Sequence, residues 1–250
     1  MKDLSVLIIG YGVVGKNLER DLKKLNPDIR DKYKVDCNTF DKNKVYDFAF
    51  VCVDTPFNEK GDCDTSEVYN AIKENRASVF IIKSTVLPTT TEYLIKQTGK
   101  KIIFSPEYYG GTQHCNNFDF NFTILGGEKE ICRSAIQMLQ KIYDGRHKFV
   151  ITDSRTAELT KYMENSWLAT KVSFCNEFYN FAENLGIAYE ELRELFLLDP
   201  RVNPSHTFVY KDRPYWDSHC LNKDVPAIAN YQNSKFLKSV IDFNISQKNK

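Results

Sequence analysis

A parallel α/β sheet, followed by an all-helical region built on one long central helix, is the fold this sequence predicts. Three observations predict it. Short apolar runs alternate with segments of helical periodicity through the first half of the chain. A glycine-rich turn, GYGVVG at 10–15, joins the first apolar run to the first helical segment. Near residue 153 the alternation stops, and helical periodicity then runs unbroken from 155 to 185. Strands that are apolar on both faces and alternate with helices belong to a sheet covered on both sides. The predicted division is residues 1–152 for the sheet domain and 153–250 for the helical one.

The elements follow in order. SVLIIG (5–10) is a continuous apolar strand. GKNLERDLKKLN follows, with Leu18, Leu22 and Leu25 at helical spacing. A short PDIRD segment leads through a polar stretch to a second strongly apolar strand, YDFAFVCV (46–53). Helix and strand then alternate through EVYNAIKEN (67–75), ASVFIIKST (77–85), TTTEYLIKQT (89–98) and KIIFSP (101–106). NFTILGG (121–127) and HKFVIT (147–152) read as strands flanking a helix over 128–143. The long helix ends at Gly186, the usual residue after a last turn. Its Trp167, Phe174, Phe178 and Phe181 need cover on more than one side, from the core or from a partner subunit. YEELRELFL, a loop rich in Pro and aromatics (199–219) and a final helix from about 225 to 243 complete the chain, with QKNK as a loose tail.

Composition narrows the function classes. Apolar residues make up 42% and charged residues 27% of the 250, close to ordinary globular averages. Lys plus Arg number 34 against 33 Asp plus Glu, so no global charge draws the chain to nucleic acid or an anionic membrane. No apolar stretch approaches the ~20 residues of a spanning helix, and the N-terminal run has no signal-peptide h-region. Seven cysteines, an odd number without CxxC or zinc-site spacing, suggest free thiols in a reducing compartment and no metal site. The expectation is a cytoplasmic protein.

GYGVVG matches G-x-G-x-x-G in the place where that pattern has mechanical causes. Gly10 permits the tight turn, Gly12 lets the backbone approach a pyrophosphate, and Gly15 lets helix and strand pack closely. With Tyr11, Val13 and Val14 they form a candidate phosphate-binding turn, backed by a helix N-terminus whose free N–H groups attract anions. Strand, glycine turn and helix together predict a Rossmann-type sheet that binds a dinucleotide. NAD calls for an acid about 20 residues further on to accept hydrogen bonds from the ribose. Asp31 is the first choice and Asp36 the fallback.

Other signals lie at the strand ends, where ligands sit in open parallel sheets. DTP (54–56), STVLP (84–88) and PEY (106–108) put Thr55, Thr85 and Glu107 there. Each has an ordinary alternative in turn chemistry or helix capping, and three in a row favour a site. On the long helix Lys161 and Asn165 stand four apart on one face. They are an oxyanion clamp or a solvated lysine with a polar neighbour, and spacing leaves both open. Cys220, in HCLNKDVP, stands before the final helix with Lys223 nearby, and both features favour the reactive thiolate. Asp224 or Asn222 can cap that helix and Pro226 fits its first turn. Cys52 and Cys175 fall inside a strand and a helix, as packing residues.

In order, GYGVVG, VCVDTP, KSTVLP, SPEY, ELTKYMENSWLATKVSFCNE, LDPRV and CLNKD resemble the nucleotide-sugar 6-dehydrogenases of the UDP-glucose dehydrogenase type, over most of the chain. The resemblance implies oxidation of a sugar C6 alcohol to a carboxylate in two NAD-dependent steps through a cysteine thioester. It places Cys220 at the nucleophile and Lys161 and Asn165 at the oxyanion pair. Glu107, Thr85 and Asp224 fall at the groups handling the catalytic water, with Glu107, Lys161 and Asn165 also facing substrate. Lys223 falls at a cofactor contact, and Arg201 at an arginine reaching substrate across a dimer. It therefore implies a nucleotide-sugar substrate, UDP-glucose first, and a homodimer through the 155–185 helix.

Three features depart from the family pattern. The glycine-rich loop before the cysteine is replaced by YWDSH (215–219). A second family glutamate, four after the first, is Gly111. The chain stops after the last helix, where members continue into a nucleotide-binding domain. Two alternatives follow: a dehydrogenase of a smaller alcohol or aldehyde, and a non-catalytic NAD-binding module that complements another chain.

Overall fold

The structure, a computed structural model, describes residues 4–58, 61–109 and 120–249. Seven strands form one sheet: β1 (Val6–Ile9), β2 (Asp28–Arg30), β3 (Tyr46–Val51), β4 (Ala77–Ile82), β5 (Ile102–Phe104), β6 (Phe122–Gly126) and β7 (Lys148–Thr152). Their order is β2-β1-β3-β4-β5-β6-β7. Helices α1 (Val13–Asp21), α2 (Ser66–Glu74), α3 (Thr90–Thr98) and α4 (Lys129–Leu139) lie between strands. Then come α5 (Ser154–Leu185), α6 (Tyr189–Phe196), α7 (His219–Tyr231) and α8 (Lys235–Lys248). No helix among the described residues is long and apolar enough to cross a membrane.

The chain divides into two compact units, Met1–Pro56 with Cys63–Lys161, and Phe57–Asp62 with Tyr162–Lys250. In the first, alternate strand residues face opposite ways. Val6, Ile8, Phe48 and Phe50 pack against Leu18 and Leu22 and against Ile131, Cys132 and Met138 of α4. Leu7, Ile9, Ala49 and Val51 pack against Val68 and Ile72 of α2, Leu94 of α3 and Ala157 of α5. Both strand faces are buried, which is why these strands are apolar without alternation.

The sheet is parallel as expected except at one strand pair. β5 and β6 are antiparallel, paired at Phe104 and Gly126. A parallel neighbour needs a crossover, usually a helix, whereas an antiparallel one does not. β6 and β7, joined through α4, are parallel again.

In the second unit Gly186, with φ +67°, ends α5 as expected. The predicted final helix is two helices. The chain breaks at Asn233, whose φ is +48°, and Ser234 caps α8 by accepting the Leu237 N–H at 3.2 Å. α8 also takes in Gln247 and Lys248, which the sequence reading left in a loose tail. α7 starts earlier than predicted, because Ser218 and not Asp224 or Asn222 is its cap, its Oγ accepting the Leu221 N–H at 3.2 Å. Pro226 therefore sits inside the helix and not in its first turn. Proline has no N–H to give the carbonyl four residues back, that of Asn222.

Candidate active site

In the first unit the glycine turn has the geometry its spacing implies. A Cβ on Gly10, whose φ is +94°, would lie 2.7 Å from the Cys52 carbonyl oxygen, and one on Gly15 would lie 2.0 Å from that of Gly10. Around Gly12 nothing lies within 4 Å, so the backbone there is open to approach. Gly12 is also the N-cap of α1 and supplies no side-chain cap, and the first turn carries no acid. The N-terminus of α1 is thus suited to a phosphate.

Asp31 directly follows β2 and is buried, whereas Asp36 lies exposed in a short 3-10 turn. The Asp31 carboxylate accepts the N–H groups of Tyr11 (2.6 Å), Tyr33 (2.8 Å) and Lys34 (2.7 Å), which tie the strand end to the glycine turn. Burial alone would raise its pKa, but the three N–H donors outweigh burial and hold it below the ordinary aspartate value. A carboxylate has about four acceptor sites, and three N–H groups leave room for a hydroxyl.

Two further groupings sit at strand ends. Thr55, buried after β3, donates its hydroxyl to the Thr85 carbonyl at 2.8 Å. Glu107, after β5, pairs with Lys83 at 3.2 Å, while its other oxygen accepts the N–H groups of Tyr108 (2.7 Å) and Tyr109 (3.0 Å). Lys83 was not singled out by the sequence reading, and its position directly after β4 was the available signal. Lys161, nine-tenths buried on α5, stands over the Tyr108 ring at 4.9 Å. One turn earlier, Glu158 is fully buried and accepts the Thr89 N–H (2.8 Å), the Thr91 N–H (2.8 Å) and the Thr91 hydroxyl (2.6 Å). It caps α3, a task the sequence reading offered to Thr85. The neighbouring Ser84 donates to the Val53 carbonyl at 2.6 Å.

The second unit gathers Asn165, Asp224 and Lys223. The Asn165 amide donates to Asp224 Oδ2 at 2.6 Å, and Lys223 Nζ meets Oδ1 at 2.7 Å. Asn165 and Asp224 are both buried. The lysine charge expected to favour a thiolate at Cys220 is therefore spent on Asp224. Cys220 is exposed in the first turn of α7, one turn before Asp224 on the same helix. Burial pushes the Cys52, Cys132 and Cys175 thiols up, Cys132 to about 11, so these are poor nucleophiles. Arg201 stands apart, exposed and held by Asp199 at 2.6 Å. Gly111 and Cys115 lie outside the described residues, and among the described residues no cluster of His, Cys, Asp or Glu could hold a metal.

A mostly parallel sheet whose first strand opens through a close glycine turn onto an uncapped helix, with an acid closing the second strand, defines a dinucleotide-binding α/β protein. Comparison with known proteins makes this specific. Residues 7–147 match the NAD binding domain of the UDP-glucose/GDP-mannose dehydrogenase family and residues 155–247 its central domain. The chain belongs to this family, and its cofactor is NAD. It is 33% identical to the UDP-glucose 6-dehydrogenase of Rickettsia bellii over 215 residues, 78% of this chain and 48% of that protein. It is 28% identical to the UDP-N-acetyl-D-mannosamine dehydrogenase of Methanocaldococcus jannaschii, over 92% of this chain and 55% of that one. The structure of a UDP-glucose dehydrogenase from Pyrobaculum islandicum has the same fold, with a TM-score of 0.82 and 22% identity over 97% of this chain and 68% of that one. The chain thus spans about half the length of the two relatives compared by sequence.

Proposed function

We propose that this chain oxidises the C6 alcohol of a nucleotide sugar, UDP-glucose first among candidates, to the carboxylate through a thioester on Cys220. The observation that carries the reading is the exposed Cys220 in the first turn of α7, one turn ahead of an Asp224 carboxylate held by Asn165 and Lys223. NAD, when bound, accepts the hydride in each of the two oxidations. Gly10, Gly12 and Gly15, with the backbone of Tyr11, Val13 and Val14, receive its pyrophosphate. Asp31 takes a ribose hydroxyl, and Thr55 and Lys223 make further contacts to it.

The protein's own residues handle the sugar carbon. After the first hydride loss the Cys220 thiolate adds to the aldehyde carbon, giving a thiohemiacetal. The second hydride loss leaves a thioester, and water adds to its carbonyl carbon, expelling the thiolate and yielding the acid. Lys161 and Asn165 donate to the oxyanion formed in these additions. Asp224, Glu107 and Thr85 orient the water, and a carboxylate of the two acids takes its proton. Glu107, Lys161, Asn165 and Arg201 contact the sugar. A simple alcohol dehydrogenase needs no such thiol.

The working form in this reading is a cytoplasmic homodimer joined along the 155–185 helix. Met163, Trp167, Phe174, Phe178, Phe181 and Leu185 line one face of α5 at steps of three, four and seven, and all are exposed, Met163 by 75%. The test is incubation with NAD and a panel of UDP- and GDP-sugars while NADH is followed. Two NADH per sugar acid are expected, and Cys220→Ala should abolish acid formation. A folded protein that binds NAD yet turns over none of the panel defeats the reading.

A further inference from the structure

The segment before Cys220, YWDSH (215–219), is tied down residue by residue within the second unit. Trp216 is buried. Its backbone N–H donates to Asn244 Oδ1 at 2.8 Å, and its carbonyl accepts the Asn244 Nδ2 at 3.0 Å. The Asn244 amide thus pairs with the main chain of Trp216 as a neighbouring strand would. The indole N–H donates to Ser173 Oγ on α5 at 3.0 Å, and the ring packs with Ala169, Leu221 and Val225. Asp217 accepts from Asn222 (2.8 Å) and Lys248 (3.2 Å), and Ser218 caps α7. Three consecutive residues are therefore anchored, to α5, α7 and α8, and Cys220 is the second residue of the helix they start.

We propose that Trp216 and Asn244 form a clamp that fixes the start of α7 and so the direction of the Cys220 thiol; both are positioning residues. A free thiol is a better nucleophile when it stands against the N–H groups of an ordered helix start. A bulky anchored segment holds that start where a loose one would fray. Asn244 is buried, and its amide commits its acceptor and one donor to the main chain of a single residue, Trp216. The inference that turnover depends on the clamp rests on the role proposed above for Cys220.

The test uses the full chain with Asn244→Leu, which keeps the branched shape but removes both main-chain bonds, beside Trp216→Phe, which keeps those bonds and loses the bond to Ser173 with part of the ring's packing. The first readout is the alkylation rate of Cys220 by iodoacetamide, followed by peptide mass mapping. The clamp predicts at least a fivefold fall at pH 7 for Asn244→Leu and a change within twofold for Trp216→Phe. A merely structural loosening would leave the already exposed thiol accessible and the rate unchanged or faster, and either result in a folded Asn244→Leu protein overturns the proposal. If that variant does not fold, Asn244→Ser, which forms at most one of the two bonds, takes its place with the same criterion. The second readout is turnover: kcat should fall about tenfold with the KM for NAD within twofold, and an unchanged kcat overturns the clamp. Alkylation that responds as predicted in a protein that turns over no sugar nucleotide supports the clamp and removes the substrate reading alone.

Discussion

Glu158 allows a sharp quantitative prediction, because two opposed effects meet on one fully buried carboxyl. Burial disfavours its charge, while the side chain and N–H of Thr91 and the N–H of Thr89 favour it. Burial wins, and the carboxyl lies at about 7 against 4.5 for an ordinary glutamate. Below about pH 4.5 the folded and unfolded chains both carry the proton. Between about 4.5 and 7 the unfolded chain releases it and the folded chain keeps it, so stability falls as pH rises. A shift of roughly 2.5 units at 1.36 kcal/mol each amounts to about 3 kcal/mol, fully lost above pH 7. Glu158→Gln resembles the protonated acid at every pH and cannot titrate. Urea unfolding followed by far-ultraviolet circular dichroism from pH 4.5 to 8.5 isolates the effect, since all other titrating groups are common to both proteins. The variant should match the native protein within about 1 kcal/mol at pH 4.5 and gain about 3 kcal/mol on it by pH 8. Parallel curves, or a native protein that gains with pH, would show that the three hydrogen bonds outweigh burial and would refute the reasoning.

Three other outcomes are expected. Gly15→Ala places a Cβ 2.0 Å from the Gly10 carbonyl oxygen; it should cost about 1–3 kcal/mol by overpacking, read by denaturation, and weaken NAD binding, read by calorimetry. Asn165→Ala strips the amide from the buried Asp224 carboxylate, a loss of about 1.5–3 kcal/mol for a hydrogen bond to a charge; an unchanged urea midpoint would contradict the buried pair. If the proposed dimer forms along α5, the native chain should sediment as a dimer and Trp167→Asp with Phe178→Asp as a monomer, with little change in the melting of the fold.

Much of the first unit was legible from the sequence because its causes are local. Gly10, Gly12 and Gly15 are needed where a strand turns onto a helix, and their spacing is set by that turn alone. Strands buried on both faces must be apolar throughout, so Val6–Ile9 and Tyr46–Val51 show themselves as unbroken runs. Cys220 near a helix start, and Lys161 and Asn165 a turn apart, were likewise visible, since helical spacing is a fixed length.

What the sequence could not settle depends on partners far along the chain. The antiparallel pairing of β5 and β6 depends on which edge the chain returns to, and no residue at Phe104 or Gly126 announces it. The α7 cap went to Ser218 because that helix start is held by Asn244 and Ser173, residues 28 and 43 positions away from Trp216. Lys223 has its charge taken by Asp224, and Glu158 reaches back 67 positions to cap α3. The sequence by itself therefore determined most of the elements and the glycine turn, and put forward the candidate site residues, all from neighbours within a turn or a strand. Only the tertiary structure decided which polar groups neutralise, cap and anchor one another. Those pairings form between segments distant in sequence, where burial makes an unpaired group too costly to leave.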